Sequence, residues 1–166
     1  MRTLIVVESV WGNTRQIGVA IAARLATTGD VDLVAAADAP GEVDADLLVV
    51  GAPTHAFGLP SAKTRAGAVQ QQGAPAQPDR GLREWIAALP RPTRAIAVAT
   101  FDTKVDKPRL PGSAAKKAMK RLIALGYVPV ERPETFRVHG YTGPLVDGET
   151  DRAGAWAEQL VRAVAT

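Results

Sequence analysis

Short, continuous apolar runs alternate along the chain with longer amphipathic stretches. The three strongest runs are residues 4–7, 47–50 and 95–100. They are rich in valine, leucine, isoleucine and alanine and show no polar alternation, which is typical of strands buried on both faces of a sheet. These runs therefore predict three central strands.

Two further strands have weaker patterns. Residues 31–35 include an aspartate, so we expect this strand at an edge of the sheet. Residues 127–130 and 135–138 are interpreted as two pieces of one strand interrupted at Pro133, because proline cannot donate to a strand ladder.

The stretches between the strands have helical periodicity. Asn13 is predicted to cap the first helix, with Gln16 as its capping-box partner, and Gly29 to end it in the left-handed conformation. A second helix is expected between the cap Asp79 and the stop Pro90. The apolar positions predicted to face the core in four helices are Ile17, Ile21 and Leu25; Leu82, Trp85, Ile86 and Leu89; Ala115, Met119, Leu122 and Ile123; and Trp156, Leu160, Val161 and Val164.

Two segments lack a clear period. Residues 61–79 are rich in glycine, glutamine, proline and alanine, and they predict a long loop with at most one helical turn. Residues 101–111 are also predicted as a loop. It leads to a third helix that runs from the cap Ser113 to Gly126.

Strands that alternate with helices are best accommodated by a parallel sheet with helices on both faces. The sequence therefore predicts a three-layer, doubly wound α/β fold with five parallel strands. No internal repeat or change of composition divides the chain, so we expect a single domain over residues 1–166.

Composition excludes several classes of site. The chain has no cysteine, which rules out disulfides, iron–sulfur clusters, Cys-ligated zinc and thiol catalysis. It has only two histidines, so we do not expect a His-rich metal site. Its net charge of +3 gives no reason to expect a nucleic-acid partner. No apolar run approaches the ~20 residues of a membrane span, and the first run is too short for a signal peptide. We therefore expect a cytoplasmic protein without membrane contacts.

Positive charge is concentrated in one segment. Between residues 104 and 121 only Asp106 opposes the cations, which are Lys104, Lys107, Arg109, Lys116, Lys117, Lys120 and Arg121. Two interpretations remain open: a solvated loop and helix face, or a docking surface for an acidic partner or a phosphate-bearing ligand.

The turn after the first strand has the chemistry of a phosphate site. Ligands of open parallel sheets bind beyond the carboxyl ends of the strands, and there Ser9, Asn13 and Thr14 can donate hydrogen bonds while Gly12 allows close approach. The turn opens a helix, whose free N–H groups and dipole favour an anion. It carries neither a P-loop lysine nor a Gly-x-Gly-x-x-Gly pattern. An ordinary capped turn is the alternative.

The sequence Ser9-Val10-Trp11-Gly12-Asn13-Thr14 resembles the phosphate loop of the flavodoxins, Ser/Thr-x-Thr-Gly-x-Thr, in its place after the first strand. Residues 46–54 resemble that family's third strand and flavin-flanking loop, residues 101–103 stand in the place of its third cofactor loop, and residues 136–140 resemble the end of its fifth strand. The similarity covers nearly the whole chain. It implies strand order 2-1-3-4-5, of which flavodoxin is a standard example, with FMN at the switch point.

The resemblance implies cofactor contacts from three loops. The phosphate would be held by Ser9, Val10, Trp11, Gly12, Asn13 and Thr14. The isoalloxazine ring or ribityl chain would be flanked by Pro53, Thr54, His55, Ala56 and Phe57. The opposite side of the isoalloxazine ring or ribityl chain would be flanked by Thr100, Phe101, Asp102 and Thr103.

Two departures from the family pattern concern the cofactor. Trp11 replaces the usual threonine and removes one hydroxyl donor. No tyrosine or tryptophan lies between Phe101 and Tyr127, and His55 stands where an aromatic residue is expected against the ring. The ring is therefore expected either to be less enclosed or to be covered by residues 61–79.

The resemblance implies an electron carrier that exchanges electrons with a reductase and an acceptor protein. Two alternatives remain open: a flavin-dependent reductase of quinones or small molecules fed by NAD(P)H, and a flavin-free domain of the same fold. Lys63, Arg65 and Lys104 lie in or beside the candidate loops, against Asp102 and Asp106. We therefore expect reduced flavin to be less destabilised than in the acidic flavodoxins.

Overall fold

A computed structural model describes all residues from Met1 to Thr166. The strands are β1 (Arg2–Val7), β2 (Asp30–Ala35), β3 (Leu47–Pro53), β4 (Ala97–Val105), β5 (Val128–Pro129) and β6 (Glu134–Val138). The helices are α1 (Asn13–Leu25), α2 (Ala62–Gln72), α3 (Leu82–Ala88), α4 (Ala114–Leu125) and α5 (Glu149–Ala165). None of these helices is both long enough and apolar enough to cross a membrane.

The strands form one parallel sheet in the order β2-β1-β3-β4, with β5 and β6 both paired to the far side of β4. Residues 97–98 of β4 pair with β5, and residues 101–105 pair with β6. The fifth position is therefore one strand in two pieces, as predicted. The three-layer α/β fold, the strand order and the edge position of β2 are confirmed.

Two apolar layers cover the two faces of the sheet. Alternate residues of β1 and β3 point into opposite layers, so both strands are buried on both sides. On one side Trp85 of α3 and Leu122 of α4 are fully buried, and on the other Ile17 of α1 and Trp156 of α5 are buried. Each such side chain contributes about 1.5–3 kcal/mol through removal of apolar surface from water.

The first helix begins and ends differently from the prediction. Its N-cap is Gly12, in the left-handed region at φ 93°, and Asn13 is already helical. The predicted capping box does not form, because the N–H of Gln16 donates to the carbonyl of Gly12 and the side chain of Asn13 donates to the carbonyl of Thr142. The hydroxyl of Ser9 accepts the N–H groups of Gly12 and Arg15. Gly29 has no positive φ; a Cβ there would lie 2.0 Å from the carbonyl oxygen of Met1, so its role is to allow close packing.

The prediction of a long loop over residues 61–79 is wrong for its first half, which forms α2. Ser61 caps this helix through a reciprocal pair of hydrogen bonds with Thr64, and Gly73 ends it at φ 72°. Only Arg65 and Ala68 of the helix are buried, so it lacks the apolar periodicity by which amphipathic helices are recognised.

The predicted end of the fourth strand, at Thr100, is five residues too early. Residues 101–105 continue β4 and pair with β6, so Phe101, Asp102 and Thr103 lie within a strand and not in a loop. The strand continues because β6 supplies ladder partners for it as far as Val105.

The later helices largely follow the prediction. Ser113 caps α4 and Gly126 ends it at φ 106°, as expected. Ile123, predicted to face the core, is 46% exposed. The N-cap of α3 is Gly81 and not Asp79.

Candidate functional site

A cleft of about 610 Å³ lies beyond the carboxyl ends of β1, β3 and β4, within the size range of small-molecule sites. Its walls are the turn after β1, the loop after β3, helix α2, the end of β4 with residues 110–111, and residues 138–141. The predicted site residues that line it are Val10, Trp11, Asn13, Thr14, Pro53, Thr54, His55, Ala56, Phe57 and Thr103.

The other predicted residues are not part of the lining. Ser9 and Gly12 belong to the turn itself. Thr100 is fully buried and donates to the carbonyl of Ala115. Phe101 lies in the core on the α1–α5 side, where it packs edge-on against neighbouring aromatic rings, and Asp102 is fully buried. The reason is that β4 continues past Thr100, so these side chains point into the two packed layers.

The turn after β1 presents a set of unpaired backbone donors. The N–H groups of Val10, Trp11, Asn13 and Thr14 make no hydrogen bond within the protein, and all four residues line the cleft. They stand at the amino end of α1, where the helix dipole adds partial positive charge. Such donors suit a phosphate or another compact anion.

Two side chains of this turn already form hydrogen bonds within the protein. The amide nitrogen Nδ2 of Asn13 donates to the carbonyl of Thr142 at 3.1 Å. Gly143 packs so tightly here that a Cβ would lie 2.6 Å from Oδ1 of Asn13. Asn13 therefore fastens the segment after β6 against α1. The hydroxyls of Thr14 and Thr103 are hydrogen-bonded to each other, and each keeps further capacity for a ligand.

The loop after β3 ends in a tight reverse turn. His55 and Gly58 exchange both backbone hydrogen bonds, each at 2.8 Å. Between them Ala56 and Phe57 have positive φ values of 43° and 72°. Two-residue turns of this kind usually contain Asn-Gly, and non-glycine residues in this region cost roughly 1–3 kcal/mol each. The turn therefore holds Phe57, 58% exposed, at the mouth of the cleft.

The imidazole of His55 is fixed against α2. Its Nδ1 lies 3.1 Å from the hydroxyl of Thr64. Burial lowers the pKa of His55 below its usual value of 6.5; the charge of Glu8 acts in the opposite direction and that of Arg65 in the same one. His55 is therefore a neutral side chain of the cleft wall at neutral pH.

Asp102 organises the region behind the cleft. Its Oδ2 accepts hydrogen bonds from the Ser113 hydroxyl at 2.5 Å, the Thr54 hydroxyl at 3.1 Å and the Ala115 N–H at 3.1 Å. The Thr54 hydroxyl in turn accepts the N–H of Ala114. Asp102 therefore positions Thr54, which lines the cleft, without lining it itself. Its other oxygen, Oδ1, is buried without a partner.

A buried ion pair attaches α2 to the sheet. Arg65 contacts Glu8 through Nε at 2.8 Å and Nη2 at 3.2 Å, and its Nη2 reaches Glu84 at 2.5 Å. Burial alone would lower the pKa of Arg65, but hydrogen bonds and charges from the two glutamates raise it overall. Arg65 is therefore permanently charged and holds α2 as a rigid wall of the cleft.

The sequence reasoning missed one wall and one aromatic residue. The α2 residues that line the cleft are Lys63, Thr64, Gly67, Ala68, Gln71 and Gln72. Tyr141, which is 66% exposed, and Leu110 also line it. The available signals for α2 were the spacing of Ser61 and Thr64 and the following Gly73. No signal pointed to Tyr141.

The charged residues of the lining are all basic. Lys63 and Lys104 line the cleft, and no aspartate or glutamate does. The ammonium of Lys104 donates to the carbonyls of Leu110 and Gly112, which fixes the loop after β4.

No family model and no curated protein matches the sequence. Solved structures, however, match it over its full length. Oxidised flavodoxin 1 from Bacillus cereus has a TM-score of 0.69 at 16% identity and 98% coverage of each chain. Oxidised flavodoxin 2 from the same organism has a TM-score of 0.68 at 18% identity, with 98% of this chain and 99% of that one covered. A flavodoxin from the domain Archaea has a TM-score of 0.66 at 14% identity over 100% of both chains. The chain has the flavodoxin-like fold.

Proposed function

We propose that this protein binds one FMN in the cleft and carries electrons between partner proteins. The observation that carries the proposal is the group of unpaired N–H donors of Val10, Trp11, Asn13 and Thr14 at the amino end of α1. They open on a cleft of about 610 Å³ at the switch point of the sheet. The flavodoxin-like fold of the chain is consistent with this placement.

The donor set fits a phosphate monoester. Backbone N–H groups at a helix terminus bind an anion without a lysine, and no carboxylate lines the cleft to repel it. A Cβ on Gly12 would meet no protein atom within 4 Å, so the turn is open on this side. In this proposal the four N–H groups and the Thr14 hydroxyl hold the phosphate.

The remaining walls would position the ring system. FMN supplies reversible one- and two-electron chemistry, and the protein supplies binding and electrostatics. Thr54, held by Asp102, and the turn at Ala56 and Phe57 would support one side of the flavin. Trp11 and Tyr141 border the same cleft and would exclude water from the flavin.

A comparison of FMN with riboflavin tests the phosphate site. The protein is titrated into each flavin and the quenching of flavin fluorescence is recorded. We expect FMN to bind at least 100-fold more tightly, because riboflavin lacks the phosphate. Equal affinity for the two flavins, or no binding of either, would contradict the proposal.

Two variants localise the phosphate. Gly12→Val strains a turn that requires φ 93°, and Thr14→Ala removes a hydroxyl; each is expected to weaken FMN binding at least tenfold while riboflavin binding stays unchanged. Gly41→Val is the matched control, since Gly41 has a normal φ and an open environment away from the cleft. Unchanged FMN affinity in both test variants would refute the placement.

A nucleotide-oxidation assay of the FMN-loaded protein distinguishes an electron carrier from a reductase. A carrier loaded with FMN does not oxidise NADH or NADPH by itself, because it needs a partner reductase. Steady consumption of either nucleotide, with a quinone present as acceptor, would make the protein an enzyme.

A further inference from the structure

The cleft mouth continues without interruption onto the amino-terminal part of α4. A Cβ on Gly58 would lie 3.6 Å from Cγ of Lys117, so the stem of this lysine packs beside the turn after β3. Gly112 lies against the backbone of Phe57, where a Cβ would be 2.3 Å from the Phe57 carbonyl oxygen. The turn, the loop after β4 and the first turns of α4 therefore form one surface.

The cations on this surface are not neutralised by the fold. Of the basic residues between 104 and 121, only Arg109 forms an ion pair, with Asp106 at 3.3 Å. The exposed lysines without any carboxylate within 4.0 Å are Lys107, Lys116, Lys117 and Lys120. Unpaired charges of one sign project a field into solvent and attract opposite charge.

The same rim carries apolar groups in solvent. Phe57, Leu110 and Tyr141 are 58%, 48% and 66% exposed, and all three line the cleft. Solvated lysines around exposed apolar and aromatic side chains are the arrangement of a protein interface, with an apolar centre and a charged rim.

We propose that this basic rim, made of Lys107 in the loop after β4 and Lys116, Lys117 and Lys120 on α4, docks an acidic protein with a one-electron redox centre, with Phe57 and Leu110 as its apolar contacts. The proposal rests on the proposed function, because the docked centre would face the flavin cleft. One electron passes per encounter: the partner is oxidised by one electron and the bound flavin is reduced by one, or the reverse. The charge of the rim selects the acidic partner and speeds encounter more than it adds affinity.

Binding of a plant-type [2Fe–2S] ferredoxin, an acidic protein, tests the surface independently of the cofactor. Oxidised ferredoxin is titrated into the FMN-free protein in a calorimeter at low and high ionic strength. We expect binding to weaken at least tenfold between about 20 and 200 mM salt, because screening removes the attraction. Cytochrome c, a basic protein, should not bind. Tighter binding of cytochrome c than of ferredoxin would overturn the proposal.

Charge reversal at two sites localises the surface. Lys116→Glu with Lys117→Glu is expected to weaken ferredoxin binding at least tenfold. The matched control is Arg91→Glu with Arg162→Glu, which changes the net charge equally at exposed positions before β4 and on α5. The control should change binding less than twofold. Equal loss in both variants would show that net charge alone acts, and would refute the basic rim as a docking site.

Electron transfer then distinguishes failure of docking from failure of the proposed function. Reduced ferredoxin is mixed with the FMN-loaded protein, and reduction is followed by absorbance in a stopped-flow instrument. We expect the second-order rate constant to fall at least tenfold in the Lys116→Glu, Lys117→Glu variant only. If the protein binds ferredoxin but takes up no added FMN, the cofactor assignment is refuted and the docking site for an acidic protein stands. If the protein binds FMN but not ferredoxin, the docking site is refuted and the cofactor assignment stands.

Discussion

The hydroxyl oxygens of Thr14 and Thr103 lie 2.8 Å apart and join the first turn of α1 to the end of β4. Both side chains are almost fully buried, yet both line the cleft. A hydroxyl can donate one hydrogen bond and accept others. Thr103 therefore fixes the orientation of Thr14 and leaves its hydroxyl with capacity for a further hydrogen bond to a ligand.

Replacing Thr103 with valine should weaken FMN binding by roughly three- to tenfold, since one hydrogen bond is worth about 0.5–1.5 kcal/mol. Riboflavin binding should not change, because the lost contact acts on the phosphate only. Fluorescence titration of both flavins measures the difference. Thr3→Val is the matched control: the Thr3 hydroxyl is buried in β1 without a partner. A similar loss in the control would contradict the interpretation.

Glu149 should make stability depend on pH. Burial alone would raise the pKa of this carboxyl, but hydrogen bonds from Arg152 and from the backbone N–H of Arg137 hold it below 4.5. A depressed pKa stabilises the fold above the unfolded-state value of 4.5, and this stability is lost as the pH falls through the folded-state value.

Glu149→Gln should therefore lower the free energy of unfolding by about 1–3 kcal/mol at neutral pH. The difference from the native protein should shrink as the pH falls from 4.5 through the lower folded-state pKa, where the native carboxyl becomes protonated. Urea unfolding across this range measures it, with the exposed Glu42→Gln as the control. A difference that stays constant with pH would show that the charge of Glu149 is not responsible.

The same glycine-to-alanine change should have opposite effects at two positions. At Gly51 a Cβ would lie 2.1 Å from the ring of the fully buried Phe101, so Gly51→Ala should destabilise by about 1–3 kcal/mol or more. At Gly154, within α5, a Cβ meets nothing within 4 Å, so Gly154→Ala should stabilise by about 0.5–1 kcal/mol. Urea unfolding of both variants provides the measurement, and equal signs would contradict the packing described for Phe101.

The basic lining of the cleft should raise the reduction potential of bound flavin. Lys63 and Lys104 are the charged residues there, and positive charge stabilises a reduced flavin that carries negative charge. Lys63→Glu should lower the potential of the second reduction by tens of millivolts, about 1 kcal/mol, the order expected for charges several ångströms apart in a solvated cleft.

Redox titration of the FMN-loaded protein measures this change. Lys63→Gln should produce about half the shift, since it removes one charge without introducing another. Arg162→Glu changes an exposed charge on α5, outside the cleft lining, and should leave the potential within a few millivolts. A native potential as low as that of strongly acidic flavodoxins would contradict the argument.

The strands and the position of the turn before α1 could be predicted from the sequence because their signals are local. Both-face burial leaves continuous apolar runs such as Leu47–Pro53, and the turn at Gly12 directly follows the first of them. Helix α2 could not be predicted in the same way. It is held to the sheet by the ion pair between Arg65 and Glu8, which lie 57 positions apart.

The prediction of a cofactor loop at residues 101–103 is wrong for a related reason. Asp102 is a polar residue inside a buried strand, and its hydrogen bonds to Thr54 and Ser113 connect residues 48 and 11 positions away. Such partners compensate for the burial of a carboxylate, but nothing in a single sequence indicates them. The sequence pattern therefore predicts a loop at the first polar residues after the apolar run, although the strand continues.

The shared use of Asp102 Oδ2 links two parts of the molecule mechanically. The first turn of α4, which bears Lys116 and Lys117, and the loop that carries Thr54 are both anchored on this one oxygen atom. A force applied to α4 from outside would stretch hydrogen bonds that also orient Thr54. Contact at the outer surface and the geometry of the cleft wall are therefore coupled through the hydrogen bonds of Asp102 and through the bond between Thr54 and Ala114.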